Sequence, residues 1–265
     1  MSEPVRVLAI HAHPDDLEFQ AAGTLALLAR AGCHLTMATM TPGDCGSAEH
    51  DAEAIAAIRR AEARAAAALI GADCLCLEFR DFAVFDDDPS RRRAVEALRR
   101  ARPDVVITAP PSDYHADHEM TSLLVRDACF IAPAPNYATH QWDPAPPLGR
   151  VPYLYFTDPL EGHDRAGNAA TPDFHVDVSA VFDLKRAMLA CHASQRAWLL
   201  KHHGIDEYLD SQAEWSAHRG SEIGVAHAEG FWQYRGHAYP RDDRLLGLLG
   251  QDGRGASAGS PSGPG

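Results

Sequence analysis

Val5-Arg6-Val7-Leu8-Ala9-Ile10 is a short apolar run, and Ala12-His13-Pro14-Asp15-Asp16 follows it almost at once. Such a run fits a strand buried in a parallel sheet. Helical spacing follows from Leu17 to Ala31 and stops at Gly32, a residue suited to end a helix. The alternation then repeats. Strands are expected at Leu35–Met40, Cys74–Phe79 and Val105–Ala109, and helices over residues 50–70, from Ser90 to Arg100 and from Glu119 to Ile131. Pro110-Pro111 keeps the fourth strand from running on. Strand–helix alternation of this kind implies parallel βαβ units and an α/β fold, a Rossmann-like doubly wound, mostly parallel sheet. The second half is less regular. Strands at Val151–Thr157 and Phe174–Val178 and a helix over Val181–Ala193 are expected, and residues 194–235 read as short helices and loops that shape a pocket. One domain over residues 1–249 is expected, followed by a Gly/Ser/Pro/Ala-rich disordered tail over residues 250–265.

A chain of 265 residues, 46% of them hydrophobic, can bury the core of one large domain. It carries 37 acidic against 24 basic residues, a formal net charge of −13. An acidic surface repels phosphate backbones, so no nucleic-acid partner is expected. No stretch approaches the roughly 18–20 apolar residues of a membrane span. The first residues lack the basic segment of a signal peptide, so a cytoplasmic protein is expected. The six cysteines form no C-x-x-C pair, and Cys74 and Cys76 read as small core residues on one face of a strand.

His115-Ala116-Asp117-His118 follows the fourth strand as the first cluster follows strand one. In a doubly wound sheet of order 3-2-1-4-5 those strands are neighbours, and ligands bind in the crevice outside their carboxyl ends. Topology therefore brings His13, Asp15 and Asp16 towards His115, Asp117 and His118. Imidazole nitrogen and carboxylate oxygen suit zinc, and a catalytic zinc keeps three protein ligands and one open position. These six residues divide among ligands, base and supporting groups. Capping of the following helix by Asp15 or Asp16 is the plainer reading of the first cluster. Capping does not account for the second cluster. With no G-x-G-x-x-G, no Walker sequence and no G-x-S-x-G elbow, a nucleotide-binding oxidoreductase or transferase and a serine hydrolase are disfavoured.

Ala12-His13-Pro14-Asp15-Asp16-x-Glu18 and His115-x-Asp117-His118 resemble the paired signatures of the PIG-L/LmbE family of zinc-dependent de-N-acetylases and amidases. Supporting stretches are Thr41-x-Gly43-Asp44-x-Gly46, Arg59-x-x-Glu62, Arg80-Asp81, His192-x-Ser194-Gln195 and Ala228-Glu229-Gly230-Phe231. The resemblance implies that His13, Asp16 and His118 bind zinc, or another divalent cation such as Fe2+. It implies Asp15 as general base, His115 as the residue that stabilises the oxyanion or protonates the leaving amine, and Asp117 as the residue that orients His115. Arg59, Asp81, Tyr114 and His192 become candidate substrate contacts, with His11 close enough to support the site. Where some family members carry a Tyr two residues before His115, this chain has Asp113, with Tyr114 beside it. The implied reaction hydrolyses an N-acyl amide, N-acetyl above all, on an amino sugar or small glycoconjugate. A larger-acyl amidase and a silent metal-binding protein are the alternatives. Loops between residues 133 and 175 would select the substrate, and the sequence leaves a homo-oligomer open.

Overall fold

The computed structural model describes residues 3–139, 145–196 and 207–251. Among them, seven strands form one sheet: β1 (Arg6–His11), β2 (His34–Thr39), β3 (Asp73–Cys76), β4 (Val105–Thr108), β5 (Tyr153–Thr157), β6 (Phe174–Asp177) and β7 (Ala228–Gln233). Their order is β3-β2-β1-β4-β5-β7-β6. The first five run parallel, as the alternation of strand and helix predicts. β7 pairs antiparallel with both β5 and β6. The helices are α1 (Asp16–Gln20), α2 (Ala22–Arg30), α3 (Ala52–Ala68), α4 (Asp88–Ala101), α5 (Ala116–Ile131), α6 (Phe182–Ala190), α7 (Glu207–Ile223) and α8 (Arg244–Leu249). None of the described helices is long and apolar enough to cross a membrane.

Parallel strands have helices on both faces, so side chains of either parity along β1 must be apolar. Val7 and Ala9 join one buried cluster with Leu25, Leu28 and Ile107; Leu8 and Ile10 join the other with Leu98, Val106 and Leu124. Val7–Ile10 lie beside Val105–Thr108, which sets the loops that leave β1 and β4 next to each other.

Several elements differ from the sequence expectation. The helix expected over Leu17–Ala31 is two helices, broken at Ala21 with φ −135°. The break leaves the amides of Gly23 and Thr24 free, and each donates to the Glu229 carboxylate at 2.8 Å. Asp87, not Ser90, caps α4: its carboxylate accepts from the Ser90 amide. α5 begins at Ala116 rather than Glu119, with His115 as its N-cap. Residues 194–235, expected as short helices and loops, contain the 17-residue α7 and the strand β7. Antiparallel pairing at long range, not local pattern, makes β7. Cys74 is exposed and Cys76 half-buried because β3 is the sheet edge, so neither is the core residue expected. Residues 140–144 and 197–206, with Trp142 and Trp198, and the tail from residue 252 lie outside the described residues. Gly250 ends α8 in a left-handed conformation.

Glu229 also receives Lys185 Nζ at 2.6 Å, with both side chains 1% exposed, and Lys185 in turn donates to the Phe19 carbonyl. One buried carboxylate thus ties β7 and α6 to the start of α2. Removing one partner of a buried pair strands the other charge, at a cost of about 3–5 kcal/mol. Glu229→Ala is expected to lose that much stability in urea denaturation. A loss under about 1 kcal/mol would mean that the ammonium finds another anion.

Candidate active site

Four strand-end loops converge at the carboxyl edge of β1, β2, β3 and β4. After β1, Asp15 takes a left-handed conformation, φ 93°, and its side chain makes no capping bond to α1. That turn projects Asp15 and Asp16 in different directions. After β4, the His-x-Asp-His cluster is the cap and first turn of α5. A cavity of about 350 Å3 between these loops is lined by His13, Asp15, Asp16, Arg59, Asp81, Tyr114, His115 and His118, together with Cys45, Gly46, Phe82 and Gln195.

Three atoms form a triangle at its floor. His13 Nδ1 lies 3.4 Å from Asp16 Oδ2, His118 Nε2 lies 3.4 Å from the same oxygen, and the two nitrogens are 3.3 Å apart. A tetrahedral ion with bonds of about 2.0–2.1 Å requires donor separations of about 3.3–3.4 Å. The residues present therefore fit a zinc-like cation. The far nitrogen of each imidazole meets a carboxylate: His13 Nε2 lies 3.1 Å from Asp117 Oδ2 and His118 Nδ1 lies 3.0 Å from Asp113 Oδ1. Such pairs fix the ring and present the other nitrogen to a metal. His11 is also near, but its Nδ1 is 2.7 Å from Asp16 Oδ2. That is a hydrogen bond, too short for two ligands of one tetrahedral ion, and the ring is fully buried. His11 supports Asp16. A third cluster, Asp44, Cys45 and Asp81, holds donors within 4.8 Å of one another. Its carboxylates are engaged in loop contacts: Asp81 accepts from Thr41 Oγ1 at 2.5 Å and the Cys45 amide at 2.9 Å, and Asp44 accepts from the Asp81 amide at 2.8 Å.

Electrostatics follow from this packing. Burial would raise Asp16, but His118 and His11 overcome it and hold the carboxyl well below its usual range. Burial opposes charge on His13, yet hydrogen bonds to Asp117 and Asp16 carry it up to about 9. Burial also opposes charge on His118, and Asp16 and Asp113 carry it up to about 10. Without a metal these two imidazoles hold protons around one carboxylate. Asp15 is raised by burial, against the pull of Arg59. Its Oδ2 accepts from Tyr208 Oη at 2.6 Å, and its Oδ1 lies 3.2 Å from Arg59 Nη2. His115 is lowered by burial, with His13 and His118 adding to the effect.

The structure distributes the sequence-derived candidates unevenly around the cavity. Asp117 does not orient His115 through its carboxylate. That group serves His13 and accepts the Phe82 amide at 2.7 Å, while His115 Nδ1 accepts the Asp117 backbone amide. Arg59 is 4% exposed and donates to the Pro14 carbonyl at 2.5 Å, so it braces the first loop from the cavity wall. At Gly43, with φ 76°, a Cβ would collide with the Arg59 guanidinium. Glu62 receives Ser194, and Gln195 donates to the Gly46 carbonyl, so these contacts brace the loop after β2, while Gln195 and Asp81 also line the cavity. His192 is fully buried behind Asp15, 3.2 Å from Glu18, and is not on the cavity wall. Tyr114 is exposed at the rim. Trp215 bonds Asp158, and Trp232 and Tyr234 line a separate cavity, so none of the three walls this site. Asp113, Phe82 and Tyr208 were missed as contributors. Asp113 was visible as a departure from a sequence pattern; Tyr208 meets Asp15 across 193 positions and left no local sign.

The PIG-L family, described as GlcNAc-PI de-N-acetylase, matches residues 8–129. A 1D-myo-inositol 2-acetamido-2-deoxy-alpha-D-glucopyranoside deacetylase of Segniliparus rotundus is 30% identical over 248 residues, covering 72% of this chain and 77% of that protein. The chain belongs to the PIG-L family. A 4-oxalmesaconate hydratase of Pseudomonas putida is 28% identical over 196 residues, 71% of this chain and 73% of that protein. Among solved structures, the N,N'-diacetylchitobiose deacetylase of Pyrococcus horikoshii superposes with a TM-score of 0.73 at 25% identity, over 88% of this chain and 86% of that one.

Asp113→Asn and Asp117→Asn each remove a carboxylate that holds an imidazole without touching the triangle. Each is expected to weaken zinc binding about 10–100-fold in competition with a chromophoric chelator. Affinity equal to wild type in both would show that the histidines are oriented by something else.

Proposed function

We propose that this protein hydrolyses an N-acyl amide, N-acetyl above all, on an amino sugar or small glycoconjugate. The observation that carries this reading is the triangle of His13, Asp16 and His118 with the tethered carboxylate of Asp15 beside it. Relatives named as deacetylases of amino-sugar conjugates support it. His13, Asp16 and His118 would hold the cation, zinc or Fe2+. Bound there, it would act as a Lewis acid that polarises the amide carbonyl and acidifies the attacking water.

Asp15 acts as general base. Burial keeps its carboxyl ready to take a proton, and Tyr208 and Arg59 hold its two oxygens in place. His115 accepts the Asp117 amide at Nδ1, so its neutral form carries the remaining proton on Nε2. Its lowered pKa favours that form. Neutral His115 donates a hydrogen bond to the oxygen that becomes negative as water adds. The proton on Asp15 then passes to the departing nitrogen, the C–N bond breaks, and acetate and a free amine leave. Asp113 and Asp117 keep the two imidazoles turned inward throughout. The substrate is a small molecule. A cytoplasmic setting belongs to the same proposal, supported by six free cysteines.

The hydratase relative favours a second reading, addition of water to a carboxylate-bearing alkene. Beyond the proposed cation and the imidazoles around it, the cavity offers such an anion one guanidinium, Arg59, which is already bound to Pro14 and Asp15.

Purified protein supplied with zinc is expected to release acetate from at least one member of a panel of N-acetylglucosamine conjugates, and chelator should stop it. Asp15→Ala is expected to keep zinc and lose about 10³-fold or more in kcat. His13→Ala and Asp16→Ala are expected to lose the metal. Normal turnover by Asp15→Ala would remove it as base. Inert amides with active hydration of an unsaturated carboxylate would favour the second reading.

A further inference from the structure

Phe82 follows Asp81 in a left-handed backbone conformation, φ 62°. Glycine and asparagine adopt that region readily; a bulky side chain does so rarely. In that conformation the Phe82 amide donates to Asp117 Oδ2, the oxygen that also holds His13. Phe82 is 68% exposed, so packing in the core does not account for its ring. A large apolar ring in water on a disfavoured backbone is explained by an occupant that covers it.

The surroundings describe that occupant. The Phe82 ring stacks on His115 at 5.4 Å and 25°, and Tyr114 stands at 89° to the same imidazole at 5.7 Å. Tyr114 is 65% exposed. The two rings form walls that meet at His115, inside the cavity that holds the triangle. Most other groups of that lining are charged or polar, so its large apolar surface is concentrated in this corner.

We propose that Phe82 is a specificity-determining residue. With Tyr114 it binds a ring with a flat apolar face adjoining the scissile amide. The ring is either the C–H face of the pyranose or an aryl group attached to it. Aromatic side chains take both through the same dispersion and edge-to-face contacts. This inference rests on the amide-hydrolase reading of the site.

The test measures binding of N-acetylglucosamine and of its 4-nitrophenyl β-glycoside to zinc-supplied protein by calorimetry. Wild type is compared with Phe82→Gly and, should that variant fold poorly, with Phe82→Asn. Phe82→Gly is expected to bind about tenfold more weakly. Its Tm should stay level or rise, because the backbone suits glycine. Weakening on both probes assigns the face to the sugar; weakening on the aryl glycoside alone assigns it to the aryl group. Unchanged binding of both probes, no binding of either by wild type, or a fall in Tm with both variants would overturn the proposal. Binding and turnover are read separately. Phe82-dependent binding without acetate release would sink the hydrolase reading alone. Acetate release with a KM indifferent to Phe82 would sink this inference alone.

Discussion

Asp16 Oδ2 lies 2.7 Å from His11 Nδ1, 2.8 Å from the His13 amide nitrogen and 3.4 Å from both His13 Nδ1 and His118 Nε2. A buried anion must be compensated, and the loops after β1 and β4 are built around this one. In the metal-free protein, compensation comes from protons held by His13 and His118. A divalent cation at the same point would replace those protons and satisfy all three donors at once. The spacing that suits a tetrahedral ion is thus also the spacing at which three titratable groups share positive charge.

The rest of the site keeps that triangle fixed and leaves Asp15 apart from it. Asp113 and Asp117 occupy the outer nitrogens of the two imidazoles, so only the inner nitrogens face the cavity. Asp15 escapes the cluster because its backbone turns left-handed, and Arg59 and Tyr208 catch the carboxylate on the other side. Two neighbouring aspartates thereby acquire opposite behaviour: Asp16 stays ionised, and Asp15 is pushed towards accepting a proton. Tyr208 comes from α7, so the C-terminal half is part of the machinery. The buried Lys185–Glu229 pair and the Asp158–Arg219 pair hold that half against the parallel sheet.

The parallel core was legible in sequence because each strand is an apolar run followed by a helical segment. The strand order followed from topology rules, and β1 beside β4 gave the meeting of the two polar clusters. Interactions without a local pattern were not legible. β7 exists through pairing with β5 and β6, and its sequence, with Glu229 and Gly230 in the middle, does not read as a strand. The amides left open by the break at Ala21 are met by the distant Glu229. Asp117 was placed in the right cluster with the wrong imidazole, because residue spacing does not reveal which way a carboxylate turns at a helix start. His192 and Arg59 were identified by motif; Arg59 braces the first loop from the cavity wall, and His192 lies buried beside Glu18 of α1.

The most direct measurement is zinc X-ray absorption on protein loaded with one equivalent of metal, comparing wild type with His13→Ala and His11→Ala. Wild type should show two imidazole nitrogens with oxygen donors at about 2.0–2.2 Å. His11→Ala should keep both imidazoles, and His13→Ala should lose one. A sulfur donor in wild type, or a first shell unchanged by His13→Ala and depleted by His11→Ala, would contradict the triangle of His13, Asp16 and His118 as the centre on which the site is built.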